Sequence, residues 1–333
     1  MNGVLIIDKP AGLTSHDVVN RVRRILGQKA VGHLGTLDPM ATGVLSIVVG
    51  NFTRLAQFYV SSEKTYEGTV RFGFCTDTYD AEGETTTDVK EVNLNADKLE
   101  TAVTKFRGMI EQEPPPFSAK KIKGVPAYKL ARKQKEVHLQ PVQVEIKELE
   151  VLGVDVDRMR FRARVSSGTY MRSIAHDLGK ALGCGAHLES LRRTAVAEFA
   201  VSEAHTLEEL AALAGKSRVE SSSAERVPRP LPATSGSAEF SPKAAVTVEE
   251  RGQDASQPLL EVFIHPRELL PQLPSVTADE QNAARIRAGR TVNLPELSRA
   301  RQVKVFAGQR DLIAIATRVA GTLFHAKIVL CGS

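Results

Sequence analysis

The 333-residue chain has no tryptophan, and all its aromatic residues together make up only 5% of it. Its three cysteines, Cys75, Cys184 and Cys331, lie far apart and form no CxxC pair, which excludes a disulfide-stapled scaffold and a thiolate metal knuckle. No apolar run approaches the roughly 20 residues that a membrane-crossing helix needs. The first residues carry no leader pattern, so the expectation is a cytoplasmic protein that does not enter a membrane. The eight histidines show no ligand spacing and HExxH is absent, so no metal is expected. There is also no Walker loop, no dinucleotide fingerprint and no Ser/His/Asp constellation, and no cofactor is expected.

What is present is ordinary in bulk and uneven in distribution. A hydrophobic content of 42% and a charged content of 25% are those of a globular protein, and the length suits more than one domain. The net charge is +5, yet between residues 281 and 333 nine Lys and Arg face only Glu296 and Asp311. That segment carries +7 and the rest of the chain −2. A basic module points to an anionic partner, most simply nucleic acid, although a solvated basic face would look similar.

The most concentrated signal is Gly32-His33-Leu34-Gly35-Thr36-Leu37-Asp38-Pro39-Met40-Ala41-Thr42-Gly43-Val44-Leu45. It sets one carboxylate, Asp38, in a loop hemmed by three glycines and held extended by the following proline. The unbroken apolar run Val44 to Val49 then reads as a buried strand. Such a loop is a plausible active-site support, and it is also common turn chemistry. Tyr66 to Phe74 alternates as a half-buried strand, in which Tyr66 alone would read as a core aromatic. Arg172 follows a strand and stands at the start of a helical pattern. Cations prefer the other helix end, so a specific anionic partner is expected there.

GHLGTLDPMATGVL resembles the catalytic motif of bacterial tRNA pseudouridine-55 synthases over fourteen consecutive positions. The resemblance implies that Asp38 is the essential acid in converting a T-arm uridine of tRNA to pseudouridine by base flipping. Whether it attacks sugar or pyrimidine stays open. Lys64-Thr65-Tyr66 resembles the family's second motif, which makes Tyr66 the residue stacked on the base and a candidate proton handler. SSGTYMRSIAHDLG resembles the third, assigning Arg172 as the partner of Asp38 and Tyr170 as a pocket wall. LESLRRT similarly assigns Leu191 to the pocket. His33 is implied to contact the flipped nucleotide, and Lys9 of the DKP element to brace the catalytic loop; His176 reads as structural. PPPFSAKKIKGVPAYKLAR looks like the RNA-gripping thumb, with Lys121, Lys123 and Arg132 among its phosphate contacts. Arg132-Lys133-Gln134-Lys135 departs from the arginine-glycine usual after that helix.

The expected organisation is α+β. A catalytic domain over residues 1–213 is built on a mixed, largely antiparallel sheet, with a thumb insertion at about 112–141. Residues 214–260, rich in Ser, Pro and Ala, read as a flexible linker. Residues 261–333 read as a small β-rich module, in which Ile286-Arg287-Ala288-Gly289-Arg290 is similar to the RNA-binding PUA domain. The acidic turn at 77–83 lacks calcium-loop spacing and reads as solvated. The implied partner is tRNA, with no guide RNA and no obligatory protein partner. Two other readings compete. One is a guide-RNA-dependent pseudouridine synthase, against which the thumb argues. The other is a non-catalytic RNA binder or folding chaperone, which would have no use for Asp38, Tyr66 and Arg172 together.

Overall fold

The structure is a computed structural model that describes residues 1–118, 120–122, 124–131, 133, 139–224, 257–296 and 298–330. Strand β1 (Gly3–Lys9) leads into helix α1 (Ser15–Leu26). Thr14 and Asp17 form a reciprocal cap at its start, and Gly27 ends it in the left-handed conformation at φ 63°. Short β2 (Val31–His33) and the apolar β3 (Thr42–Val49) flank the Asp38 loop. Next come β4 (Lys64–Phe72), α2 (Ala96–Thr104), β5 (Gly108–Gln112), β6 (Val142–Asp155) and β7 (Arg158–Val165). Helix α3 (Met171–Ala181), β8 (Ala186–Val196), β9 (Phe199–Ala200) and α4 (Leu207–Ala224) complete this part.

Among the described residues these strands form one nine-stranded sheet in the order β1-β3-β8-β4-β7-β6-β5, with β2 added to β3 and β9 to β8. Every pairing is antiparallel except β3 with β8, where Arg192 and Arg193 lie beside Thr42 and Gly43. That contact fixes the far end of the Asp38 loop against the centre of the sheet. One face packs Val70, Phe72, Met159 and Phe161 under Ile174 and Leu178 of α3. Elsewhere Leu5, Ile7, Leu45 and Ile47 meet Val18, Val19 and Val22 of α1 and Leu207 and Leu210 of α4. Among the described residues no helix is long and apolar enough to cross a membrane.

The stretch read as linker from residue 214 begins inside α4, which continues to Ala224. The helical pattern was hidden there by a run of serines, which are weak helix formers rather than breakers. The C-terminal module has β10 (Ser275–Ala278), α5 (Glu280–Arg287), β11 (Val292–Asn293), β12 (Gln302–Ala307), β13 (Asp311–Ala320) and β14 (Leu323–Val329). Among the described residues its sheet runs β10-β12-β13-β14-β11. The module is docked as well as tethered. Leu269, Leu270, Phe306 and Ile315 share a core with Val4, Ile6, Phe52 and Phe199. At the junction, one Glu198 oxygen accepts from the Tyr59 hydroxyl at 2.6 Å and from the Leu270 amide at 2.9 Å.

Candidate active site

The Asp38 loop is held by buried donors aimed at its backbone. Lys9 is fully buried, and its ammonium donates to the carbonyls of Pro10, Leu13 and Pro39 at 2.7–3.0 Å. Burial lowers this group to about 8, with the Asp38 carboxylate opposing the shift. The Ser15 hydroxyl accepts from the Leu37 amide at 2.8 Å. Arg193, only 1% exposed, donates from Nε to Val44 O at 2.8 Å, from Nη1 to Thr36 O at 3.1 Å and from Nη2 to Gly35 O at 3.0 Å. Gly43 must stay glycine: its φ is 100°, and a Cβ there would lie 2.2 Å from Arg193 O.

Asp38 meets Arg172 in a two-point ion pair. Arg172 Nη2 donates to Asp38 Oδ1 at 3.0 Å, and Nε lies 2.9 Å from Oδ2. The guanidinium is nearly enclosed while the carboxylate remains one-third exposed, so its free side faces the cavity. Arg172 is itself fixed by Thr78 O and Phe117 O, each at 3.1 Å, and by Asp80 Oδ2 at 3.6 Å from Nη1. This is the anionic partner expected for a cation at a helix start, and there are two of them. The 77–83 turn is therefore not the solvated turn expected. Asp80 is 4% exposed, accepts from the Thr78 hydroxyl and the Glu82 amide, and has its carboxyl pushed up by burial.

A cavity of about 620 Å³ opens on Asp38. It brings together six residues expected from the sequence: His33, Asp38, Tyr66, Tyr170, Arg172 and Leu191. Tyr66 is 8% exposed on β4, and the neighbouring strand β8 supplies Leu191. His33 Nδ1 accepts from the Gly35 amide at 3.3 Å, and burial together with Arg193 lowers its basicity, so the ring is neutral at pH 7. Tyr170 is set by a reciprocal amide clamp. The buried Gln112 side chain accepts from its N–H at 2.8 Å and donates to its carbonyl at 3.1 Å. Lys121 does not line this cavity and pairs with Pro126 in a two-residue ladder. Lys123 and Arg132 lie outside the described residues.

Comparison with known proteins decides the family. The model for the TruB family pseudouridylate synthase N-terminal domain matches residues 23–171, and that for the tRNA pseudouridylate synthase B C-terminal domain matches residues 172–232. A protein named tRNA pseudouridine synthase B from Solibacter usitatus is 47% identical over 99% of this chain and 100% of its own length. The chain belongs to the TruB family of pseudouridylate synthases. A relative of the same name from Aquifex aeolicus is 50% identical over 63% of this chain and 73% of its own. In fold, the chain also resembles the archaeal box H/ACA sRNP Nop10-Cbf5 complex. The TM-score is 0.64 at 22% identity, over 99% of this chain and 86% of that one.

As a TruB-family synthase the protein is an isomerase. Among the described residues no group of three or more His, Cys, Asp or Glu could hold a metal. Sequence reasoning missed Asp80, Gln112 and Arg193. Asp80 was visible only as one acid in a polar turn, and Gln112 only as the residue before the proline-rich segment. Arg193 did carry a signal. It alternates with Leu191 on a strand, which places a cation on an apolar face.

Proposed function

We propose that this enzyme converts uridine 55 in the T arm of tRNA to pseudouridine, with Asp38 as the essential acid. The observation that carries the reading is the Asp38–Arg172 pair on a cavity of about 620 Å³ walled by Tyr66 and Tyr170, enough to enclose one nucleoside. Relatives named tRNA pseudouridine synthase B supply the substrate class.

A base inside structured RNA must leave its stack before such chemistry, and an aromatic wall receives it. Asp38 then acts as nucleophile at the sugar or at the pyrimidine. The N1–C1′ bond breaks, the base turns, and C5 bonds to C1′. C5 gives up its proton, N1 gains one, and the carboxylate is regenerated. Arg172 keeps Asp38 oriented through both oxygens, which a guanidinium does better than an ammonium. Tyr66 stacks on the base and takes the C5 proton. His33 contacts the flipped nucleotide and Leu191 packs against it. The thumb at about 112–141, with Lys121, Lys123 and Arg132, grips phosphates, and the basic module from about 261 adds RNA contacts in the manner of a PUA domain. No guide RNA, obligatory protein partner or cofactor takes part.

The test is to incubate the purified protein with unmodified tRNA, with nothing added, and map pseudouridine by position. Product should appear at position 55 alone. Asp38→Asn should bind the tRNA and give no detectable product even in single-turnover assays. Near wild-type turnover by that variant would reject the assignment, and a requirement for an added RNA or protein would favour a guided enzyme.

A further inference from the structure

The cavity contains more positive charge than its carboxylates offset. Arg172 is matched by Asp38 and Asp80, whereas Arg193 and Lys64, both lining the cavity, bond only main-chain oxygens among the described residues. Arg193 uses the carbonyls of Gly35, Thr36 and Val44, and the Lys64 ammonium donates to Ser62 O at 2.6 Å. The two cations meet at one place. A methyl group built on Gly35 would be 3.7 Å from Arg193 Nη1 and 3.8 Å from Lys64 Cε. A buried cation and a half-buried one, with only neutral partners, are costly unless an anion joins them.

We propose that Lys64, backed by Arg193, forms an anion subsite in the cavity wall that holds one backbone phosphate adjoining the flipped uridine. This rests on the reading of the substrate as RNA. Lys64 has three N–H donors and Ser62 occupies one, which leaves two for phosphate oxygens. Arg193 is committed to the loop and contributes mainly field. Lys64 and Tyr66 are two residues apart on β4 and point to the same side, about 7 Å apart along the strand. That spacing is on the scale of one nucleotide, so a phosphate on Lys64 delivers its base to Tyr66. Lys64 is thus a positioning residue that sets which nucleotide of the strand enters the pocket. Burial and Arg193 together lower the Lys64 ammonium to about 8, as expected for a charge awaiting an anion.

The experiment uses the full chain and a T-arm RNA carrying a single uncharged methylphosphonate linkage, placed in turn 5′ or 3′ of the target uridine. Wild type is first assayed on the unmodified RNA. Failure to form pseudouridine there would overturn the functional reading, and the subsite with it. With active wild type, Lys64→Met should raise KM about 10-fold or more, the scale of one charge-assisted hydrogen bond, while kcat changes only a few-fold. One methylphosphonate position should cost wild type a similar factor and cost Lys64→Met nothing further. Lys64→Arg should retain the sensitivity to that linkage. Losses from Lys64→Met that multiply with those of both linkages would overturn the subsite alone, as would a wild-type KM. Should Lys64→Met fail to fold, the scan with wild type and Lys64→Arg decides, and indifference of both to either linkage overturns the proposal.

Discussion

Asp80 offers the sharpest test of how the Asp38–Arg172 pair is held. Asparagine at this position keeps the shape and the oxygen that accepts from Thr78 and Glu82, and removes only the charge facing Arg172. At the 3.6 Å between Arg172 Nη1 and Asp80 Oδ2, Coulomb attraction with an effective dielectric of 20 is about 4–5 kcal/mol before desolvation is subtracted. Desolvation is substantial, since burial pushes this carboxyl up from its ordinary 3.8. A net loss of about 2 kcal/mol remains, and the new amide N–H would also face a guanidinium N–H. If that loss is felt as misplacement of Arg172, the single-turnover rate should fall about 30-fold with tRNA affinity nearly unchanged. The pH dependence has a definite sign. Because the folded carboxyl is raised, its contribution to stability is fully present below the ordinary value and is lost as pH rises through the raised one. Lowering the pH should therefore slow wild type by protonating Asp80 without unfolding it, and Asp80→Asn should lack that acid limb. A folded Asp80→Asn enzyme with wild-type single-turnover rate would refute this reasoning.

Tyr66→Phe keeps the ring and removes the hydroxyl. If the hydroxyl takes the C5 proton, rapid-quench turnover should drop about 10²-fold or more at unchanged RNA affinity, and equal turnover would leave stacking as its only role. Lys64 is charged at pH 7 and loses its proton through about 8, with Arg193 as the charged group pressing on it, and with His33 titrating lower and Tyr170 higher. KM for tRNA should rise about tenfold from pH 7 to 9 in wild type and stay flat in Lys64→Arg. A chain ending before Leu259 loses Leu259, Val262, Phe263, Leu269 and Leu270 from two shared cores. Its melting temperature should fall by more than about 10 °C, or it should aggregate; an unchanged melt would show that the module merely hangs from the catalytic domain.

Residues that act through local pattern were readable in the sequence. Asp38 stood in a fourteen-residue motif, α1 and its glycine stop followed from periodicity, and Arg172 betrayed an anionic partner by sitting at the wrong helix end. Residues that act through distance were not. Arg193 reaches Thr36 across 157 positions, and the acid that joins Asp38 on Arg172 comes from a turn 92 residues before it, so neither link leaves a trace in spacing. The docking of the module was equally hidden. Leu269 and Leu270 look like any short apolar step until β1 is placed beside them.

Strand β1 lies at the margin of the large sheet, where an unpaired backbone would invite another chain. Its outer groups are taken by much later segments. His205 O accepts from Asp8 N, His205 N donates to Ile6 O, and Ile264 N donates to Val4 O, each at 2.8–2.9 Å. During synthesis the first strand therefore leaves the ribosome with an open, strongly apolar border. At about 5–20 residues per second, it waits on the order of ten to fifty seconds for residue 264. The catalytic sheet can assemble earlier and His205 covers part of its border, but the bond at Val4 forms only when the C-terminal module arrives. Fusion of the two parts in one chain thus has a structural consequence: the C-terminal module also completes the cover over a sheet border that would otherwise be open to pairing with another chain.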